Sequence, residues 1–159
     1  CRTALESGFS PVFLVLSDPD ESYGKIPPGV TALTNSRHAE GMGTSLALAA
    51  AAVADSEAKA LLVMLADQPA VTTGLLHRLI QLLDEPRTTI VLSDGGDRQG
   101  PPACFARCHF HEIAQLSGDQ GGKSIAAAHG SGVALLVAPE SVWDIDHESA
   151  WLAYCQQAL

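Results

Sequence analysis

Asp67, Asp144 and Asp146 are the side chains whose type and placement best suit chemistry on a metal ion or a phosphate, because each follows an apolar stretch of chain. The run from Lys59 to Pro69, KALLVMLADQP, reads as a buried parallel strand with Asp67 at its carboxyl end, where open α/β sheets gather their ligands. A carboxylate there suits a hard divalent cation, although an Asp ahead of a proline-containing turn also serves turn formation alone. Asp144 and Asp146 come after the apolar run VALLVA. If the two strands are parallel neighbours, the carboxylates converge on one rim, as a cation such as Mg2+ requires. The competing role for Asp144 and Asp146 is an acidic cluster at the start of the last helix, with Asp146 as its cap.

Two glycine-bearing stretches could meet a ligand. EGMGTSL, Glu40 to Leu46, sets Gly41, Gly43, Thr44 and Ser45 at a helix start, where backbone N–H groups can bind acceptors and glycine permits close approach. The same pattern also makes a plain loop-to-helix transition. SGDQGGK, Ser117 to Lys123, flanks two glycines with Asp119 and Lys123 but lacks the spacing of a P-loop, so a helix junction with an exposed Lys accounts for it better on its own. Cys104, Cys108, His109 and His111 invite a zinc reading, yet their spacing fits no standard finger and Cys104 lies in the apolar run PACFA, which favours buried or free thiols. The six histidines form no nucleophile-elbow pattern, and His77, His129 and His147 read as surface residues.

The elements that must position these residues alternate between strand and helix. RTALESG reads as a helix end with Gly8 past its C-terminus, and Pro11 to Ser17 as a strand. The acidic, turn-rich stretch 18–29 is a loop, followed by a short strand from Val30 to Thr34. An alanine-rich helix starts at Gly43 or Thr44, and a leucine-faced helix capped by Thr72 or Thr73 follows the central strand. Thr88 to Asp94 is β-branched and ends at the turn DGGDRQG, with PACFA pairing beside it or farther off. Helices near 108–116 and 123–129, the strand VALLVA and a terminal helix complete a three-layer α/β/α sandwich in which the sheet is mostly parallel.

Composition narrows the function. A chain of 159 residues, 47% hydrophobic and 17% charged, suits one globular domain. Its net charge of -9, with only nine Lys and Arg, argues against nucleic acid as a partner. No apolar run nears the roughly 20 residues that span a bilayer, so no membrane partner is expected and the cytoplasm is the default location. A small anion can still bind through backbone N–H groups and a divalent cation.

Taken in order, EGMGTSL, LADQP, RQGPPACF, LSGDQGGKSI and DID resemble the motif series of the molybdenum cofactor nucleotidyltransferase family, particularly its cytidylyltransferase-like branch. The resemblance runs from about Val30 to the end. It implies a Rossmann-like nucleotidyltransferase fold that transfers a nucleoside monophosphate from CTP or GTP to molybdopterin and releases pyrophosphate, with Mg2+ as cofactor. By that likeness Asp67 holds the cation and Asp146 or Asp144 supplies a second carboxylate. Gly41, Gly43, Thr44 and Ser45 line the nucleotide, and Gly100, Pro101, Pro102, Asp119 and Lys123 face the pterin-phosphate side. The partners implied are a nucleoside triphosphate, a molybdopterin-type molecule and a molybdoenzyme or its maturation factor.

The chain departs from that family in lacking its first strand and the Gly-rich loop that cradles the triphosphate. Gly100-Pro101-Pro102 also stands where the family often has Gly-His-Pro. The expectation is therefore an N-terminally truncated domain over residues 1–159, with two unpaired sheet edges facing a gap where the first strand belongs. Competing readings are a non-catalytic accessory module of the same fold and another small-molecule nucleotidyltransferase, such as a nucleotide-sugar or isoprenoid cytidylyltransferase.

Overall fold

A computed structural model describes residues 1–18, 24–139 and 144–157. In chain order the elements are α1 (Arg2–Glu6), β1 (Val12–Leu16), β2 (Val30–Thr34), α2 (Met42–Ala54), β3 (Ala60–Val63), α3 (Thr73–Leu83), β4 (Ile90–Asp94), β5 (Gln99–Ala106), α4 (Phe110–Ile113), α5 (Gly122–Ala128), β6 (Val133–Val137) and α6 (Glu148–Gln157). The strands and helices expected from the sequence are present. Residues 19–23 of the acidic loop lie outside the described residues.

Local chemistry explains the helix starts and the turns. The Thr72 hydroxyl accepts the Leu75 N–H at 3.2 Å and caps α3, which buries Leu75, Leu76 and Leu79 on one face. α2 is held by alanines, the best helix formers, and starts at Met42, one residue ahead of the expected Gly43. Between β4 and β5 the Asp94 carboxylate accepts the Gly96 N–H at 2.9 Å and Gly96 takes φ +98, so the chain reverses tightly.

The strands form two sheets. β1 and β2 pair in parallel, Val12 opposite Val30 through Leu16 opposite Thr34. The second sheet has the order β3-β5-β4-β6. β5 runs antiparallel to both β3 and β4, while β6 is parallel to β4, so β3, β4 and β6 share one direction. Two expectations are corrected here. The sheet is mixed rather than mostly parallel, because PACFA returns through a tight turn and inserts between β3 and β4. The strand before Asp67 is not central: among the described residues β3 is an edge strand, paired with antiparallel β5 alone.

Alternation along β4 and β5 sends side chains to two cores. Ile90, Leu92, Ala103 and Phe105 pack with Ala50 and Val53 of α2, with Phe110 and Ile113 of α4, and with Ile125 of α5. Val91 and Cys104 pack with α3 through Leu75, Leu76 and Leu79. The four-stranded sheet therefore lies between two helical layers, the expected α/β/α arrangement. Pro101 and Pro102 carry no N–H for the ladder, and the β4–β5 register shifts at Leu92/Ser93; there the Ser93 hydroxyl donates to the Pro102 carbonyl at 2.6 Å.

The free edges of the two sheets face each other. Val12 to Val15 of β1 and Ala60 to Val63 of β3 line one cavity of about 890 Å³. No helix among the described residues is long and apolar enough to cross a membrane.

Candidate functional site

The cavity between the sheets opens at the carboxyl end of β3, where the chain continues as LADQP. Ala66 and Gln68 line it, while Asp67 between them is half-buried and is not a lining residue; its Oδ1 is buried with no hydrogen-bond partner among the described residues. Its neighbour Gln68 is 7% exposed. The Gln68 amide donates to the Pro101 carbonyl at 3.1 Å and to Asp144 Oδ1 at 3.0 Å, while its own Oε1 is buried and unpartnered. Two adjacent residues thus present orphaned acceptor oxygens at one rim, an arrangement whose desolvation cost calls for a cation or a donor.

Asp144 reaches this rim by a route other than neighbouring strands. β3 and β6 are separated by β5 and β4, so the parallel-neighbour condition fails. It is held there by its own neighbour, since the Ile145 N–H donates to the Asp67 carbonyl at 2.9 Å. Asp144 is then held on both sides, by Gln68 at Oδ1 and by Arg98 Nη2 at 2.9 Å from Oδ2. Asp146 is exposed beside it, and the helix-capping role does not fall to it: Ala150 and Trp151 donate to the His147 carbonyl, which makes His147 the residue at the start of α6. The α6 residue Tyr154 donates to the Pro69 carbonyl at 3.3 Å and seats that helix on the LADQP turn.

The opposite wall comes from β5 and the start of α5. Gly100 and Pro101 line the cavity with Asp119 and Lys123, and Lys123 is exposed. Pro102 is fully buried beneath them. In SGDQGGK the last glycine has a packing reason, since a Cβ on Gly122 would meet the Phe105 ring at 2.6 Å. Arg98 and Gln68 carry the arrangement yet had no role assigned from the sequence; the only signal was their position inside RQGPPACF and LADQP.

The glycines of EGMGTSL do something other than admit a ligand. Gly41 sits at φ +120, and a Cβ there would run into the Gly118 backbone; one on Gly43 would lie 2.5 Å from the Gln120 carbonyl. The Gly43 N–H donates to the Gly118 carbonyl at 2.9 Å. Their missing side chains thus admit the 117–120 loop, which joins the two motifs into one wall. Thr44 is buried, donating to the Gly41 carbonyl at 2.8 Å and accepting from Asn35 Nδ2 at 2.8 Å. Asn35 also donates to the Ser45 hydroxyl at 2.9 Å, and of the four residues Ser45 is the one that lines the cavity.

The zinc reading of the 104–111 stretch ends at Cys104, which is fully buried in β5 and whose thiol burial pushes up to about 12. The cysteines are free. His77 and His147 are exposed as expected, but His129 is half-buried and hydrogen-bonded to Glu112.

The architecture matches that of solved structures. Rv0371c from Mycobacterium tuberculosis H37Rv is 26% identical, with a TM-score of 0.75 over 98% of this chain and 80% of that one. A structure of Rv0371C in complex with manganese, from the same organism, matches at 24% identity and a TM-score of 0.71, covering 98% of this chain and 83% of that one. The 2-C-methyl-D-erythritol 4-phosphate cytidylyltransferase from Thermus thermophilus shares the fold at 19% identity and a TM-score of 0.64, over 99% of this chain and 88% of that one. No curated protein matches the sequence significantly. The model of the MobA-like NTP transferase domain matches residues 1–133, so the chain belongs to the MobA-like NTP transferase domain family.

Proposed function

We propose that this domain transfers a nucleoside monophosphate from CTP or GTP to a molybdopterin-type acceptor, with a divalent cation, Mg2+ in the first instance, held at the LADQP rim. The observation that carries the reading is the pair of unpartnered buried oxygens on adjacent residues, Asp67 Oδ1 and Gln68 Oε1, of which Gln68 lines a cavity of about 890 Å³. Oxygen donors of this kind fit a hard cation. Asp67 would hold it and exposed Asp146 would supply the second carboxylate. Asp144, whose two oxygens are engaged by Gln68 and Arg98, positions those side chains.

When bound, the cation neutralises charge growing on the pyrophosphate leaving group. The chain's own residues do the orienting. Lys123 and Arg98 place positive charge at the cavity mouth, Ser45 offers a hydroxyl, and Gly100 and Pro101 present backbone without bulk to the acceptor. Phosphoryl-type transfer needs positioning and charge balance more than a nucleophilic side chain, which suits a site without a Ser-His or Cys-His pair. The apolar part of the cavity, between β1 and β3, is where one further strand would join the two sheets, and with it a loop to cradle the triphosphate.

Isothermal titration with CTP and GTP in the presence of Mg2+, together with pyrophosphate release in the presence of molybdopterin, tests the reading. Asp67→Asn should weaken cation-dependent nucleotide binding at least tenfold while leaving the melting temperature nearly unchanged, because the residue sits at a sheet rim. Wild-type binding by that variant would remove Asp67 from the cation site. Absence of heat with every nucleotide would end the enzyme reading in favour of a non-catalytic module.

A further inference from the structure

At the far end of β5 from the rim, one nitrogen from each of His109 and His129 and one oxygen of Glu112 lie within 4.8 Å of one another. We propose that these three side chains form a second cation site, selective for a borderline transition ion of the zinc class, that ties the end of α5 to α4. The rim and this cluster lie at opposite ends of β5, whose eight residues from Gln99 to Ala106 span roughly 25 Å at strand rise.

His109 ends the turn that leaves β5, and Glu112 follows three residues later in α4. His129 comes from a different element, the residue closing α5, where its N–H donates to the Ile125 and Ala126 carbonyls. The His129 ring donates from Nε2 to Glu112 Oε2 at 2.7 Å, and the two imidazoles meet edge to face with centroids 4.6 Å apart. His109 is 4% exposed, yet its Nδ1 stands 3.9 Å from Glu112 Oε2, and its Nε2 is buried with no partner among the described residues. At 3.9 Å the Nδ1 contact with Glu112 is longer than a hydrogen bond, so this buried imidazole stands beside a carboxylate and a second imidazole with its polar capacity incompletely used.

The donor set selects the ion. Two imidazoles and one carboxylate match three-ligand zinc sites that leave a fourth position to water, whereas Mg2+ and Ca2+ prefer oxygen donors throughout. Zinc bonds near 2.0 to 2.1 Å put tetrahedral ligand atoms roughly 3.3 Å apart, so small side-chain movements close the present spacing. The ion would take the place of the His129–Glu112 hydrogen bond, with the His129 proton carried on Nδ1 and the Nε2 lone pair turned to the metal. Because α5 begins at Gly122, on the cavity wall, a cation at its other end braces the helix that presents Lys123 to the cavity.

The test is calorimetric titration of the metal-free protein with Zn2+ alone in a non-chelating buffer, with melting curves and visible spectra of the Co2+-loaded protein. One saturable site, a raised melting temperature and the intense ligand-field bands of low-coordinate Co2+ are expected. His129→Gln and Glu112→Gln, both at partly exposed positions, should each weaken Zn2+ binding roughly tenfold or more and abolish the thermal shift without moving the metal-free melting temperature. Cys108→Ser and Asp67→Asn should keep the site. Zn2+ binding unchanged in both cluster variants, or lost in Cys108→Ser or Asp67→Asn instead, overturns the proposal, as does an absence of saturable binding in the parent protein.

Discussion

The four-stranded sheet and the β1–β2 pair are built from similar apolar sequence and end in different states. In β4 the residues Ile90, Val91, Leu92 and Ser93 are all buried, and β5 is buried over most of its length. In β2 no residue is buried, and Thr31, Ala32 and Thr34 are exposed. The difference is coverage. β4 and β5 each have strands on both edges and helices on both faces, whereas β2 has one partner strand and β1 turns its free edge to the cavity. The protein thus joins a body that carries the stability to a flap that forms the second wall of the candidate site.

The sharpest test removes one large side chain from each region. Phe105 is 1% exposed at the centre of the α2-side core, so Phe105→Ala should cost about 3 to 5 kcal/mol. Leu33 in β2 is half-buried, and Leu33→Ala should cost about 1 kcal/mol or less. Urea unfolding of both variants measures the pair, and equal losses would abolish the distinction between body and flap.

A smaller effect is expected where the two regions are joined. Asn35 follows β2 and is 4% exposed; its Nδ2 donates to the Thr44 and Ser45 hydroxyls, its Oδ1 accepts the Arg37 N–H at 2.9 Å, and its own N–H donates to the Leu16 carbonyl at 2.7 Å. Asn35→Ala leaves buried partners unsatisfied and should cost about 1 to 3 kcal/mol. Hydrogen exchange should rise in β1 and β2 and stay unchanged in β4 and β5; a uniform rise would mean that the flap has no independent stability.

Legibility in the sequence followed the same division. Elements whose signal is local, such as β4 with its β-branched run and α3 with its Thr72 cap, were readable because propensity, pattern and cap agree. The edge position and antiparallel pairing of β3 were not, since an apolar run of four to eight residues says that a strand is buried and nothing about its partner. The rim was half readable. Asp67 stood out by chemistry, but Gln68 earns its place through contacts 33 and 76 residues away, to Pro101 and Asp144. Gly41 and Gly43 were noticed for the right property, missing side chains, and assigned to a ligand when a neighbouring loop takes the space. The His109–Glu112–His129 cluster was invisible because its third member arrives from another helix.

The smallest expected effect lies two residues from Asn35. Arg37 and Glu40 form a bidentate pair, with Nε and Nη2 at 2.8 and 2.6 Å from the carboxylate, and the hydrogen bond from Arg37 holds the Glu40 carboxyl below its ordinary range. A depressed folded-state pKa means that any contribution is present at neutral pH and lost as the pH falls through that value. Both side chains are more than half exposed, so water and salt screen the attraction and side-chain ordering opposes it. The parts of Arg37 that matter to the junction are its backbone N–H and carbonyl, bonded to Asn35 and Thr44. Arg37→Ala keeps both, and its melting temperature should match the parent at low and high salt alike. A salt-dependent loss comparable to that of Asn35→Ala would show that charge, rather than the buried amide, fastens the flap to the body.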